Sequence, residues 1–141
     1  MHSQVSDHLR CRGDLLLAGR IDELLSAYIY PLPIFLQRQR MVVQGPDEAR
    51  CIFTILRHAL IQNGIVALRP QVTAVELPRA GRYRLWVTWQ ELAMPGGEIR
   101  SSSAIYYCRA TPLGPLIEMV NYTHLSMPEL NQQFQALALS A

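Results

Sequence analysis

Hydrophobic and polar residues alternate in three long segments of the second half of the chain, at 82–92, 98–110 and 116–125. Alternation with a period of two is typical of β-strands. The stretches between these segments contain proline and glycine and predict turns that join neighbouring strands. A further strand is predicted at 65–77, where Pro70 indicates a bulge or an edge position. The pattern therefore predicts an antiparallel sheet late in the chain.

The first half of the chain shows mainly the three- and four-residue spacing of helices. The predicted helices cover 3–18, 21–30, the stretch between Gly45 and Gly64, and 129–139 after Pro128, and short strands are predicted at 34–36 and 41–44. The second helix must end at Tyr30-Pro31-Leu32-Pro33, because proline removes a backbone donor and cannot continue a helix. The two short strands predict a small hairpin at the sheet edge.

The order of these elements, with helices first and hairpin-connected strands last, predicts an α+β fold. In such a fold the N-terminal helices pack on one face of a curved, mainly antiparallel sheet. The length of 141 residues predicts a single domain, 1–141.

The net charge of +2 comes from 13 arginines with no lysine, and these arginines are spread from Arg10 to Arg109. A nucleic-acid site needs a dense basic stripe, so we expect no nucleic-acid partner. Without a lysine the chain cannot form a Schiff base, attach pyridoxal phosphate or build a Walker-type phosphate loop. The sequence implies no metal and no organic cofactor.

The cysteines Cys11, Cys51 and Cys108 are odd in number and far apart, which argues against a disulfide framework and a CxxC metal site. Reduced thiols are typical of a reducing compartment. No segment has the pattern of a signal peptide, and no apolar run approaches the ~20 residues of a membrane span. We therefore expect a cytoplasmic protein without a membrane partner.

The chain resembles the nuclear transport factor 2-like superfamily, a cone-shaped α+β fold that also includes SnoaL-type cyclases, ketosteroid isomerase, scytalone dehydratase and limonene epoxide hydrolase. The resemblance covers most of the chain. It rests on the order of elements, on Tyr28-Ile29-Tyr30-Pro31-Leu32-Pro33, and on the closing strand Ile117-Glu118-Met119-Val120-Asn121-Tyr122. Because this superfamily contains enzymes, binding proteins and interaction modules, the resemblance implies a place for a site, inside the cone, but not an activity.

Alternation predicts which side chains face the interior of the cone. On the strand from Arg82, the more apolar set should face inward: Tyr83, Leu85, Val87, Trp89 and Glu91. On the last strand, the inward set is predicted to be Ile117, Met119, Asn121 and Thr123. The middle strand is ambiguous, and we predict that Tyr107 faces inward.

The predicted ligand-binding residues are Tyr28, Tyr30, Trp89, Tyr107, Met119 and Asn121. Aromatic walls with hydroxyl and indole donors suit a small apolar or aromatic ligand. Glu91 is the one carboxylate predicted to face inward, and it is the candidate catalytic base. Asn121 would orient a ligand, since an amide does not accept a proton at neutral pH. The alternative for the aromatic residues is packing in the core. For Asn121 it is a buried amide bonded to a neighbouring strand, and for Glu91 it is a solvated rim position.

Three functions remain open at this point. The absence of an acid–base pair favours a non-catalytic protein that binds a small molecule. The alternative enzyme is a SnoaL-like isomerase, cyclase or hydratase, in which Glu91 or an ordered water transfers the proton and Tyr28 or Tyr107 stabilises an oxyanion. The third is a dimeric interaction module. An apolar outer patch predicts a homodimer through the outer sheet face, unless the terminal helix covers the patch. The residues of that predicted patch are Trp86, Tyr106, Val120 and Tyr122.

Overall fold

A computed structural model describes residues 2–37, 39–94, 97, 99–130 and 132. In these residues the chain forms helices α1 (His2–Leu17), α2 (Ile21–Leu25) and α3 (Pro46–Gln62) and strands β1 (Leu32–Leu36), β2 (Gln39–Val43), β3 (Ile65–Val75), β4 (Arg82–Ala93), β5 (Ile99–Thr111) and β6 (Gly114–His124). The order of elements is the one that the sequence predicts.

The six strands of the described residues form one sheet in the order β2-β1-β6-β5-β4-β3. Neighbouring strands are antiparallel except β1 and β6, which run parallel. The register shifts between β3 and β4 and between β5 and β6, and irregularities of this kind bend and twist a sheet. The predicted α+β fold with a curved, mainly antiparallel sheet is confirmed, and β1 and β2 form the predicted edge hairpin.

The N-terminal helices pack on one face of the sheet. Helix α1 lies against β3 and contacts α2 and α3. Its buried residues Val5, Leu9 and Leu16 occupy one stripe of the helix. Helix α3 begins with Pro46. An N–H at this position would have no partner within the helix, so proline costs no hydrogen bond there. Two acidic residues follow in the first turn, where the helix dipole favours negative charge.

Helix α2 is shorter than predicted, because it ends at Leu25 and does not continue to residue 30. The segment after it pairs with β6. The Ile29 amide donates to the Ile117 carbonyl over 2.8 Å, the Ile117 amide donates back to the segment over 2.9 Å, and Tyr28 forms a parallel bridge with Ile117. Backbone groups that bond to the sheet cannot also make helical hydrogen bonds.

The predicted terminal helix lies largely outside the described residues. Its first turn begins at Pro128, and residues 128–130 are helical. Met127 and Leu130 are buried in the core. In the described part of the chain, no helix is long and apolar enough to cross a membrane.

Candidate functional site

A cavity of about 80 Å³ lies between the helices and the inner face of the sheet. Most of its wall is apolar and is formed by leucines together with Phe53 and Ile117. The polar and aromatic residues of the wall are Arg12, Tyr28, Trp89, Glu91, Ser102, Tyr106 and Tyr122. Three residues of the predicted site, Tyr28, Trp89 and Glu91, therefore line one cavity.

Trp89 connects the wall of the cavity on β4 with that on β5. Its indole N–H donates a hydrogen bond to the hydroxyl oxygen of Tyr106 over 2.7 Å. Gly13 in α1 leaves room for the ring, since a Cβ atom there would lie 3.1 Å from Cζ3 of Trp89 and 3.2 Å from Cβ of Leu68. The glycine that weakens the middle of α1 thus permits a close contact between helix and indole.

Three tyrosine hydroxyls on the cavity stay protonated at neutral pH. Burial raises the pKa of Tyr28 to about 12, and the charge of Arg12 partly opposes this shift. Burial also raises the pKa of Tyr106 and of Tyr122. The Tyr28 ring packs on Phe53 with 5.1 Å between ring centroids. Because a neutral hydroxyl can donate, these tyrosines offer hydrogen-bond donors to a ligand.

Glu91 is a buried carboxylate, 4% exposed, so the solvated rim position considered for it is wrong. The Ser102 hydroxyl on β5 lies 3.3 and 3.4 Å from its two oxygens. The Ser126 hydroxyl donates to Oε1 of Glu91, and the Ser126 amide donates to Oγ of Ser102 over 3.1 Å. These bonds replace water around the carboxylate and fix its orientation.

The segment that follows β6 closes one end of the cavity through Leu125 and Leu130. Asn63, just after α3, holds this segment in place. Its side-chain amide donates to the Glu129 carboxylate over 2.9 Å, and its side-chain oxygen accepts from Arg100 over 2.9 Å. The hydrogen bond from Asn63 lowers the pKa of Glu129. One asparagine thus links α3, β5 and the closing segment.

Arg12 places a cationic group on the cavity wall. Its Nη2 donates to the Pro115 carbonyl over 2.7 Å, which fixes the guanidinium. Its Nη1 is buried and has no hydrogen-bond partner among the residues that the structure describes. The charge of Arg12 acts on both Tyr28 and Tyr106, where it lowers the pKa against the effect of burial. This side of the cavity is therefore rich in donors.

Residues that could bind a metal do not cluster in the described residues, where no group of three or more such side chains occurs. The three cysteines are free; Cys11 and Cys51 are exposed and Cys108 is buried. Burial raises the pKa of the Cys108 thiol to about 12. A thiol that stays protonated is a poor nucleophile and a poor metal ligand.

The predicted inward orientation of Tyr107 is wrong. On β5 the buried residues are Ser102, Ala104, Tyr106 and Cys108. Tyr107 is partly exposed and lies opposite Arg84 of β4, whose guanidinium it contacts on the outer face. The two alternating sets of residues on β5 are nearly equally apolar, so the sequence of β5 alone does not show which set faces inward. The pairing with β4 determines it.

The predicted inward orientation of Met119 and Asn121 is also wrong, because β6 carries a bulge. Tyr107 pairs with Met119 and Cys108 pairs with Ile117, so Glu118 is the extra residue. An extra residue moves every following side chain to the opposite face. Ile117 faces inward as predicted, but beyond the bulge it is Val120 and Tyr122 that do so.

Tyr30 does not line the cavity. Its hydroxyl donates to the Leu25 carbonyl at the end of α2 over 3.0 Å. Tyr30 therefore stabilises the turn that follows the helix, in keeping with the packing role considered for it.

The predicted outer apolar patch is wrong in three of its four members. Tyr106 and Val120 are buried and Tyr122 lines the cavity. Trp86 remains on the outer face, where the guanidinium carbon of Arg84 lies 4.9 Å from its ring centre. The bulge and the choice of face on β5 explain all three errors.

A different row of side chains crosses the outer face. The register places Trp86 opposite Ile105, Ile105 opposite Asn121, and Asn121 opposite Phe35. Residues paired across neighbouring strands lie on the same face of a sheet. We call these four residues the outer row; each of them is partly exposed.

Sequence reasoning missed four residues that line the cavity, Arg12, Ser102, Tyr106 and Tyr122, and it missed Ser126, which bonds to Glu91. For Arg12 a signal was present, since the buried stripe of α1 at Val5, Leu9 and Leu16 continues through this arginine. A charged side chain on the buried stripe of a helix needs a polar partner or solvent for its charged group. The serines meet Glu91 only through tertiary contacts, and no local pattern indicates them.

Neither a family model nor a curated protein sequence matches this chain. Solved structures do match. A protein with a cystatin-like fold and unknown function from Nostoc punctiforme aligns with a TM-score of 0.67 at 16% identity, over 99% of this chain and 86% of that one. A nuclear transport factor 2-like protein of unknown function from Shewanella oneidensis has a TM-score of 0.65 at 10% identity, over 86% and 98%. A ketosteroid isomerase-like protein from Erwinia carotovora has a TM-score of 0.56 at 11% identity, over 88% and 96%.

Proposed function

Because the chain has the nuclear transport factor 2-like, cystatin-like α+β fold, we propose that it binds a compact, largely apolar small molecule in the cavity between its helices and sheet. The observation that carries this proposal is the wall itself. Leucines with Phe53 and Ile117 form most of the wall, and three tyrosines, Trp89, Arg12, Glu91 and Ser102 place polar groups on it. A mostly apolar cavity with a few convergent polar groups is typical of a ligand site.

The size of the cavity limits the ligand. Its volume is about 80 Å³, and an apolar cavity of roughly 150 Å³ is known to accept a benzene ring. The ligand that fits without rearrangement is therefore smaller than an aromatic ring, such as a short aliphatic chain with one polar group.

The indole N–H signals of the two tryptophans provide a direct test in an NMR titration with short-chain alcohols, amides and acids. Trp89 lies on the cavity, whereas Trp86 on the outer face is an internal reference. Binding in the cavity should shift the Trp89 signal in a saturable way and leave the Trp86 signal in place. Leu125→Trp, which fills the cavity from its closing segment, should remove the response, and the volume-conserving Leu125→Met should keep it. If no probe shifts Trp89 at millimolar concentration, the proposal is wrong.

A second candidate function rests on Glu91. A buried carboxylate held by two serine hydroxyls faces the same cavity as the tyrosine donors. A base opposite donors is the arrangement that a SnoaL-like isomerase, cyclase or hydratase requires. In that case Glu91→Gln should abolish turnover and preserve binding. Full turnover in Glu91→Gln would exclude this mechanism.

We also propose a homodimer through the outer row in the reducing cytoplasm. Trp86, Ile105 and Phe35 give this face apolar side chains on three strands, and Asn121 of β6 lies between Ile105 and Phe35. Partly exposed apolar side chains of this kind favour association between copies of a chain. The free cysteines agree with a reducing compartment.

A further inference from the structure

One side of the cavity presents hydrogen-bond donors without matching acceptors. Nη1 of Arg12 is buried and lacks a partner in the part of the chain that the structure describes. The Tyr106 hydroxyl accepts the Trp89 N–H, and among the described residues no acceptor receives its own proton. Buried donors without acceptors are unfavourable, most of all when the donor is charged.

The charge of Arg12 is also uncompensated within the described residues, where no carboxylate forms a salt bridge with it. Its guanidinium is bonded to Pro115 at the start of β6. Pro115 pairs with Ala110, whose amide bonds to Gly81 just before β4. Glu91 lies near the other end of β4 and has its own serine donors. The cation and the carboxylate of the cavity therefore occupy opposite ends.

We propose that the ligand of this cavity is a small aliphatic carboxylate, whose oxygens accept hydrogen bonds from Nη1 of Arg12 and from the Tyr106 hydroxyl. This inference rests on the proposed binding function. The rest of the ligand contacts the apolar wall, so a short hydrocarbon chain follows the carboxylate. A carboxylate supplies both the missing acceptor and the missing negative charge, which a neutral carbonyl or an alcohol does not.

Propionate and propionamide form a matched pair of probes, since they share shape and chain length and differ in charge. At pH 7 the affinity of each is measured from the shift of the Trp89 indole signal. We expect propionate to bind at least about tenfold more tightly than propionamide, as a charge-assisted hydrogen bond predicts. Equal affinities in the wild-type protein would overturn the inference and leave the binding function standing. If neither these two probes nor other short apolar probes bind, both proposals fail.

Variants of Arg12 test whether this side chain causes the preference for the carboxylate over the amide. Arg12→Met should reduce the ratio of the two affinities to about one, while Arg12→Lys should retain part of the preference because it keeps the charge. Arg10→Met is the control, since Arg10 is exposed two positions earlier in α1, and its ratio should equal that of the wild type. Unchanged circular dichroism spectra show whether each variant is folded. An undiminished preference for propionate in folded Arg12→Met, or its loss in Arg10→Met, would contradict the assignment to Arg12.

Discussion

The indole of Trp89 and the hydroxyl of Tyr106 meet across two adjacent strands, with 2.7 Å between Nε1 and the oxygen. Their backbones are not directly paired, since Trp89 lies opposite Ser102 and Tyr106 lies opposite Leu85. The two long side chains lean towards each other along the inner face of the sheet. This contact leaves the tyrosine proton free to point to another acceptor.

Replacing Trp89 tests the contribution of this contact to stability. Trp89→Phe keeps an aromatic ring but removes the N–H donor, so the free energy of unfolding should fall by about 1 kcal/mol, the usual net value of one hydrogen bond. Urea denaturation followed by circular dichroism measures the change. Trp86→Phe on the outer face removes the same donor where no bond to Tyr106 exists, and it should cost less. Equal losses in the two variants would show that the hydrogen bond adds nothing.

Asn63 should prove important for closing the cavity. Its side chain bonds to the Ala59 carbonyl, to Glu129 and to Arg100. Asn63→Ala should therefore lower the free energy of unfolding by about 1 kcal/mol. It should also speed amide hydrogen exchange in the segment around Met127. Gln62→Ala, an exposed neighbour at the end of α3, is the control, and the expectation fails if both variants exchange at the same rate.

Alkaline pH should destabilise the protein through Tyr28. Burial raises the pKa of this hydroxyl to about 12, whereas an unfolded tyrosine titrates near pH ~10. The folded state therefore holds the proton more tightly. The resulting stabilisation is complete below pH ~10 and is lost as the pH rises towards 12.

Denaturation with urea at several pH values between 8 and 11.5 measures this effect. The free energy of unfolding of Tyr28→Phe should fall less steeply above pH ~10 than that of the wild type, because one fewer proton is released on unfolding. The difference between the two proteins at pH 8 reports the contribution of the hydroxyl apart from its ionisation. Parallel pH profiles would show that Tyr28 ionises as easily in the folded state as in the unfolded one.

The proposed homodimer predicts that a charge in the outer row prevents association. Ile105→Glu places a carboxylate in the middle of this row, where burial in an interface would be costly. Sedimentation equilibrium should show a dimer for the wild type and a monomer for this variant. Leu113→Glu is the control, because Leu113 is 94% exposed in the turn between β5 and β6. A monomeric wild type at high micromolar concentration would refute the dimer.

The fold was predictable because its signals are local. The proline and acidic start of α3, its apolar stripe and the alternation of β4 each arise within one element, and the structure agrees with them. The end of α2 was not predictable in the same way. Its last expected turn pairs with Ile117, almost ninety residues later in the sequence. The local spacing of apolar residues does not show that a distant strand competes with a helix for the same backbone hydrogen bonds.

The candidate site was predictable only where alternation is regular. Trp89 and Glu91 lie on a strand whose inner set is plainly more apolar, and both line the cavity. On β6 the bulge depends on the pairing with β5 and is invisible in the sequence of one strand. The same limit explains why Tyr122 was assigned to the wrong face and Asn121 to the cavity.

Because of the bulge at Glu118, the side chains that line the cavity depend on the number of residues in β6 and not only on their identity. Arg109 and Arg82 contact the Glu118 carboxylate, with 2.9 and 3.3 Å between the nearest atoms, and so anchor the extra residue. An insertion of one residue directly after Glu118, with the bulge retained, would rotate the remainder of β6 by half a turn about its axis. Met119 and Asn121 would then replace Val120 and Tyr122 at the cavity. A single codon gained at this point could therefore give a descendant of this chain a different ligand without any substitution in the wall.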